Sequence, residues 1–249
     1  MLFIRASLIA LLAGFVLVGC QSTQQITDSG SSDPIVVVPE RVSVVSPETA
    51  ANTVIDFSSK ELGLAEQMFN APNLYLTSNT PLAPHIKAQF IAATKQLKQG
   101  QVAAAKLAFD KLTEQAPSLS GPWLKLGDIA LARSEPAMAL THFKQALAVN
   151  PNNYVASSRI ASLLREQGDF DGARQHYEKA LKAWPGLVSA HINLGILYDL
   201  YLGNKEDALA HYKLAQKLNE LDNKPVNKQL KIWIIDVGRQ LKARAKRGG

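Results

Sequence analysis

Cysteine is almost absent from the chain, and the short motifs that mark common catalytic sites are missing altogether. Cys20 is the single cysteine among 249 residues, which excludes an intramolecular disulfide and a metal site built from several thiolates. The sequence has no GxSxG, no HExxH and no glycine-rich phosphate loop. Paired acids such as Asp169 and Asp171 fall where a helix is predicted to begin, and acids there cap the helix and complement its dipole. The sequence therefore predicts neither an enzyme nor a protein with a metal or a diffusible cofactor.

Proline recurs at a fixed interval in the central part of the chain. Pro117, Pro151 and Pro185 stand 34 residues apart, and a fourth copy of the surrounding pattern is one residue longer, with Glu220 in place of the proline. Three other features recur in step, namely a small residue, an alanine and an aromatic residue. In that order they are Ala93, Gly127, Ala161 and Gly195; Ala105, Ala139, Ala173 and Ala208; and Phe109, Phe143, Tyr177 and Tyr212.

These recurring residues share one mechanical explanation. The small residue and the alanine let two helix backbones approach closely. The aromatic residue four positions after the alanine lies on the same helix face and fills the space beside the seam. Proline lacks the amide donor, so it ends the second helix and turns the chain into the next unit. The pattern resembles the tetratricopeptide repeat, in which two packed helices form each unit.

The resemblance implies an all-α fold, a right-handed superhelical solenoid. It places four repeats at approximately residues 86–119, 120–153, 154–187 and 188–222. The chain after the last repeat, residues 223–249, is then expected to supply a capping helix and a tail.

The resemblance also implies a ligand-binding surface. In this family the first helices of the repeats line a concave groove, which suits an extended or helical peptide. The lysine and asparagine pairs with which chaperone-binding members hold a C-terminal carboxylate are not matched at Phe90 and Thr94, so that ligand is not expected. The predicted groove residues are Phe90, Ile91, Thr94, Leu97, Leu124, Lys125, Asp128, Leu131, Arg159, Ser162, Arg165, Ile192, Asn193, Ile196 and Asp199.

The histidines are interpreted as structural residues. His142, His176 and His211 each precede the aromatic residue of their own repeat. Equivalent positions in neighbouring repeats lie about 10 Å apart, whereas zinc ligands lie about 2 Å from one ion. We therefore expect these three to be surface residues without a metal, and His191, at a position where the repeat usually has tryptophan, to be a packing residue.

The first twenty residues predict export and lipidation. A basic start at Arg5 precedes an apolar run over residues 6–16, which is shorter than the roughly 20 residues of a membrane span and fits a secretory signal. The tetrad at residues 17–20, Leu-Val-Gly-Cys, resembles the lipobox of bacterial lipoproteins. The resemblance implies cleavage after residue 19 and acylation of Cys20, which would leave no free thiol to act as a nucleophile. An ordinary cleaved signal and an uncleaved signal anchor are the alternatives.

The same resemblance indicates where the mature protein resides. Lipoproteins kept at the inner membrane commonly carry Asp after the acylated cysteine, whereas residue 21 is Gln. The expected location is therefore the outer membrane, with the protein lipid-anchored on its periplasmic face.

Two segments are predicted between the signal and the repeats. Residues 20–52 are rich in Ser, Thr, Gln, Asp and Pro and are interpreted as a flexible tether with a reach of about 30 Å. Two short valine runs in it are candidate strands without an obvious partner. Residues 53–85 are predicted to form a helix, over 53–69, and a loop. We expect that helix to cover the first repeat, because the end of a solenoid otherwise exposes apolar surface.

The C-terminal segment combines an apolar stripe with a basic tail. A helix is predicted from Pro225 to about Ala245, and Ile232, Ile234 and Ile235 make its apolar face wider than one contact requires. Either the helix is wrapped on two sides or it offers a docking surface. The stripe expected to lie against the last repeat is Val226, Leu230, Trp233, Val237 and Leu241.

Basic charge is concentrated at the C-terminus. The chain has a net charge of +6; residues 224–249 hold eight Lys or Arg and one acid, Asp236, so this tail carries +7 and the remainder −1. The tail suits a solvated, frayed helix end, or contact with anionic phospholipid, lipopolysaccharide or an acidic protein. A nucleic-acid partner is not expected in the periplasm.

The leading functional hypothesis is a noncatalytic adaptor that holds periplasmic or outer-membrane proteins of an envelope machine through the groove or the C-terminal helix. Relatives act in pilus or secretin assembly, outer-membrane protein insertion and regulation of peptidoglycan hydrolases. The alternative is recognition of peptidoglycan or another glycan as an accessory to an envelope enzyme. That alternative requires Trp123, Trp184 and Trp233 to be exposed as stacking platforms.

Overall fold

The computed structural model describes residues 46–78 and 82–248, and within these ranges the regular structure is entirely helical. The predicted signal, Cys20 and the tether up to residue 45 lie outside the described residues. No helix in the described ranges is both long enough and apolar enough to span a membrane. The helices are α1 (Pro47–Asn52), α2 (Ser59–Phe69), α3 (Leu74–Thr77), α4 (Pro84–Lys98), α5 (Val102–Gln115), α6 (Ser120–Ala132), α7 (Pro136–Val149), α8 (Tyr154–Glu166), α9 (Phe170–Ala183), α10 (Val188–Leu200), α11 (Lys205–Leu221) and α12 (Lys228–Gly248).

Helices α4 to α11 form four antiparallel pairs, and each second helix packs on the first helix of the next pair. The first pair begins at Pro84, two residues before the predicted first repeat, and the other three pairs lie inside residues 120–153, 154–187 and 188–222. The two helices of a pair are joined by a turn with a residue of positive φ, at Gly100 (77°), Ser134 (59°), Gly168 (83°) and Gly203 (67°). This left-handed conformation costs a residue with a Cβ about 1–2 kcal/mol, which explains why three of the four turns use glycine.

The seam inside each pair confirms the packing predicted from the repeat. Ala105, Ala139, Ala173 and Ala208 are fully buried. A Cβ added at Gly127 would lie 2.3 Å from Cε1 of Phe143. The aromatic ring thus occupies the space that a side chain on the first helix would need. The seam is a core at interior density, and additional bulk there would force the helices apart.

Residues 46–78, termed the strap, correct the prediction that an N-terminal helix covers the first repeat. Helix α2 packs on α11 of the fourth pair, where Lys213 Nζ lies 2.8 Å from Glu61 Oε1. Further along, the Tyr75 ring meets the Tyr154 ring edge to face at 5.8 Å, and Asn150 Nδ2 donates to Ser78 Oγ at 3.4 Å. The strap therefore runs past the turns between successive pairs, and the contacts at its end are with the second and third pairs.

The outer face of the first pair carries charged residues where that of an inner pair is apolar. Lys87 and Lys95 are exposed on α4. The equivalent positions of α8, 68 residues later, are the buried Val155 and Leu163. A terminal repeat with a polar outer face is how a solenoid end stays soluble. The sequence interpretation missed this because it assumed that every repeat has an apolar outer face.

The strap also shortens the predicted tether. The tether was expected to extend to residue 52, but residues 47–52 form α1, which packs on α12. Ala50 is buried against Ile232 and Ile235. Serine 46 caps this helix, accepting from the backbone N–H of Thr49 at 3.2 Å, so the end of the Ser- and Pro-rich segment supplies a helix start.

Helix α12 takes the position expected of a cap, with two corrections. It begins at Lys228, three residues after the predicted start, and Val226 is 56% exposed outside it. Leu230, Trp233 and Val237 are buried with the last pair. Since α1 covers Ile232 and Ile235 from the other side, α12 is wrapped on two sides, and its isoleucines are not an open docking surface. The helix continues through the predicted frayed end to Gly248.

Candidate peptide-binding groove

The first helices α4, α6, α8 and α10 present equivalent residues at intervals of 34 along one surface, termed the groove. One such row is Ile91, Lys125, Arg159 and Asn193. The exposed fraction falls steadily along it, from 57% at Ile91, through 30% for the Lys125 side chain and 17% for that of Arg159, to 0% at Asn193. The groove is therefore open at the first pair and closed at the fourth.

Two cations and one carboxylate meet in the middle of the groove. Arg159 Nε lies 3.1 Å from Asp128 Oδ1, and Lys125 Nζ lies 3.3 Å from Asp128 Oδ2. Asp128 thus joins α6 to α8 and fixes the two basic side chains in position. One carboxylate neutralises only one of the two cations, so this cluster keeps a net positive charge and accessible donors for a ligand.

The open end of the groove adds apolar contact surface. Ile91 is 57% exposed, and Leu97 and Leu131 are half-buried. Phe90 is half-buried in the first pair, 5.6 Å from the Phe109 ring. An apolar side chain beside a positive cluster matches a ligand segment that pairs an apolar residue with an acidic one.

Two hydroxyls predicted to line the groove are already engaged by the protein. Thr94 Oγ1 donates to the carbonyl of Phe90 at 2.8 Å. Ser162 Oγ donates to the carbonyl of Ser158 at 3.1 Å and is 3.0 Å from Tyr177 Oη. Both side chains are half-buried, so they shape the groove more than they offer new hydrogen bonds.

Six predicted groove residues are buried, and their assignment to an accessible surface is wrong. Helix α12 covers two of them, since its Trp233 and Ile234 pack against Ile192 and Ile196 of α10. Leu124 instead joins the core between the second and third pairs. The buried residues are Leu124, Arg165, Ile192, Asn193, Ile196 and Asp199.

Asp199 and Asn193 are two polar residues among these six, and they differ in their hydrogen bonding. Asp199 is paired with Lys205 and accepts from Tyr212 Oη at 3.4 Å, so it ties α10 to α11. Asn193 has no hydrogen-bond partner for Oδ1 or Nδ2 among the described residues. Asn193 was predicted at a groove position, and in the structure it is fully buried.

The histidines form an arrangement that the sequence did not reveal. His191 Nε2 is 3.0 Å from the carbonyl of Pro185, which can only accept, so Nε2 carries the proton. His191 Nδ1 then accepts from Nδ1–H of His211, 3.0 Å away. His211 is therefore paired inside the fourth pair and is not the surface residue expected, and His142 and His176 are half-buried.

Burial determines the protonation of this pair. It lowers the pKa of His191 from its ordinary value of 6.5 to about 3, and the neighbouring His211 acts in the same direction. Burial also lowers the pKa of His211, to about 4. Both rings are neutral near pH 7 and act as packing residues. Among the described residues, no three His, Cys, Asp or Glu side chains are grouped so that they could hold a metal ion.

Comparison with known proteins identifies the repeats. Residues 124–188 and 158–227 match the tetratricopeptide repeat family model. The chain is 31% identical to the peroxisomal targeting signal receptor of Kluyveromyces lactis over 103 residues. This matched segment is 41% of this chain and 18% of that protein. The chain is 26% identical to tetratricopeptide repeat protein 21B of Xenopus laevis over 113 residues. This matched segment is 45% of this chain and 9% of that protein. The chain thus spans less than a fifth of the length of these curated relatives.

A solved structure has the same fold. The structure of pilF from Pseudomonas aeruginosa superposes with a TM-score of 0.54 and 21% identity, covering 64% of this chain and 69% of that one. The predicted all-helical tetratricopeptide fold is confirmed by the family match and by this likeness.

Proposed function

We propose that this chain, which carries tetratricopeptide repeats, is a noncatalytic adaptor that holds a segment of a partner protein in the open part of its groove. The repeats suggest a protein–protein interaction adaptor. The observation that carries the proposal is the fall in exposure from Ile91 to Asn193, since it leaves a binding surface on the first three pairs only.

The proposed ligand is an extended or helical segment with an acidic residue next to an apolar one. Ile91 supplies apolar area, and the cluster of Lys125, Asp128 and Arg159 supplies a positive centre held by hydrogen bonds. Few residues of an interface carry most of the binding energy, and these are the accessible groove residues best fitted to do so.

The proposed location is the outer membrane, facing the periplasm, with acylated Cys20 as the anchor. This part rests on the residues at 17–20 and on Gln21. The proposed partners are proteins of an envelope machine of the kinds named above. Replacing Cys20 by Ser should move the protein from the outer-membrane fraction to the soluble fraction after a high-salt wash, without loss of helicity. Retention of Cys20→Ser in the membrane after a high-salt wash would contradict the anchor.

The glycan alternative is disfavoured by the tryptophans. Trp233 is 3% exposed, Trp123 lies 5.9 Å from the His142 ring, and the Trp184 ring meets Tyr154 at 5.1 Å. A sugar ring stacks on an open aromatic face, and all three tryptophans are buried or half-buried by the protein.

The groove is tested by reversing its charge. Lys125→Glu combined with Arg159→Glu should abolish capture of the partner from envelope extract, because both changes invert the positive centre. Lys111→Glu combined with Lys144→Glu, two exposed lysines on second helices, makes the same change in net charge outside the groove and should leave capture unaltered. Equal capture by both variants, at unchanged helicity, would contradict the proposed binding surface.

A further inference from the structure

The second half of α12 extends beyond the packed core as a basic helix. Residues 239–248 are exposed apart from the half-buried Leu241. They include five cations and no acid, and in the described part of the chain none of the five is in an ion pair. The cations are Arg239, Lys242, Arg244, Lys246 and Arg247.

The composition of this segment suits a charged surface and not an apolar one. Leu241 is its single large apolar residue, and a helix that inserts into a bilayer interface requires an apolar face. Lysine and arginine without acidic neighbours bind arrays of phosphate groups through charge and hydrogen bonds. The segment therefore fits the headgroup layer of an anionic membrane.

The path of the strap indicates which anionic surface lies nearby. The described chain begins at Ser46, and α1 packs directly on α12, with Ala50 against Ile232 and Ile235. Any anchor at Cys20 is thus joined to the fold at α12, through 26 residues that could span at most about 90 Å. The first pair, with the open end of the groove, lies at the other end of the stack.

We propose that residues 239–248 rest on anionic phospholipid headgroups of the membrane that holds Cys20. This inference rests on the lipid-anchor part of the proposed function. The contact holds the C-terminal end of the solenoid at the bilayer and directs the open end of the groove away from it. An acidic protein would meet the same charge, but the attachment of the strap beside α12 favours the membrane.

The test uses the chain from Gln21 onward, exported behind an ordinary cleavable signal so that it carries no lipid and retains every described helix. Flotation with vesicles of phosphatidylglycerol and phosphatidylethanolamine should bring up at least about ten times more protein than flotation with phosphatidylcholine vesicles, and high salt should abolish the difference.

A matched pair of variants locates the contact. Replacing Lys242, Arg244, Lys246 and Arg247 by Gln should remove the binding to anionic vesicles. The control variant replaces the exposed Lys87, Lys95, Lys98 and Lys111 by Gln. It removes the same charge near the open end and should leave the binding to anionic vesicles intact. Both variants retain the buried half of α12, and equal melting temperatures would verify their folding.

Equal loss in the two variants, or equal flotation with both kinds of vesicle, would overturn the proposal. If the wild type binds neither kind of vesicle, and the tail variant fails to capture a protein that the wild type captures, residues 239–248 bind an acidic protein instead. Because the tested chain has no lipid, failure here is distinct from failure of the anchor, which Cys20→Ser decides separately.

Discussion

The two ends of the stacked helix pairs meet solvent in different ways. At the C-terminal end the last pair is covered by added apolar elements, first α12 with Trp233 and then α1 with Ala50. At the N-terminal end α4 has Lys87 and Lys95 at positions that are apolar and buried in α8. The cover at the C-terminal end also closes the groove, whereas the charged face at the N-terminal end leaves it open. Accessible groove surface therefore depends on how each end is finished as well as on the repeat itself.

The largest expected effect comes from removing the centre of the C-terminal cover. Trp233→Ala should lower the free energy of unfolding by about 3–5 kcal/mol, as for other buried aromatic truncations, because the ring lies against Tyr212 at 5.5 Å. Ile91→Ala at the open end should change it by less than about 0.5 kcal/mol, as for exposed sites. Urea denaturation of the two variants measures both values, and similar losses would show that the two ends do not differ.

The buried histidine pair gives the closed end a dependence on pH. Since the pKa values of His191 and His211 are lowered on folding, the unfolded chain binds protons first as the pH falls. The stability that is fully present above about pH 6.5 is then lost toward pH 4. By pH 5 each histidine should account for roughly 2 kcal/mol of that loss.

The contribution of His191 is isolated by a variant that cannot take up the proton. His191→Gln should lose less stability than the wild type between pH 7 and pH 5. His85→Gln, at an exposed residue near the open end, should follow the wild type. The comparison requires unfolding curves at several pH values, and a parallel pH dependence in His191→Gln would contradict the assigned protonation.

The smallest effect concerns the contact between strap and cap. Ala50→Asp places a carboxylate against Ile232 and Ile235, which should release α1 and cost about 1 kcal/mol, since a locally packed segment can open without global unfolding. Hydrogen exchange in α1 should accelerate. Ala88→Asp, at an exposed position on α4, serves as the control. No acceleration in Ala50→Asp would mean that α1 contributes little to the cover.

The repeat architecture could be predicted because its signals are local and recur. Alanine, aromatic residue and proline return at one spacing, and a seam such as that of Gly127 with Phe143 depends on residues within one repeat. The course of the strap could not be predicted in this way. It depends on contacts across long separations in sequence, such as Glu61 with Lys213, for which a single sequence carries no periodic signal.

The accessibility of the predicted groove positions could not be predicted for the same reason. Its positions were predicted from the repeat, and Ile91, Lys125 and Arg159 are accessible at three of them. Whether a position is accessible depends on what covers it, and Ile192 and Ile196 are covered by a helix outside the repeats. The indication was present in the wide apolar face of α12, which implied contact on more than one side.

The central claim, that the open end of the groove receives the partner, is tested most directly by photo-crosslinking in cells. Ile91 and Leu107 lie in the first pair and are 57% and 59% exposed, but Ile91 is on the first helix and Leu107 on the second. A photoreactive amino acid at Ile91 should capture a specific partner protein, and the same group at Leu107 should not. Capture at Leu107 alone, or equally at both positions, would contradict binding in the groove.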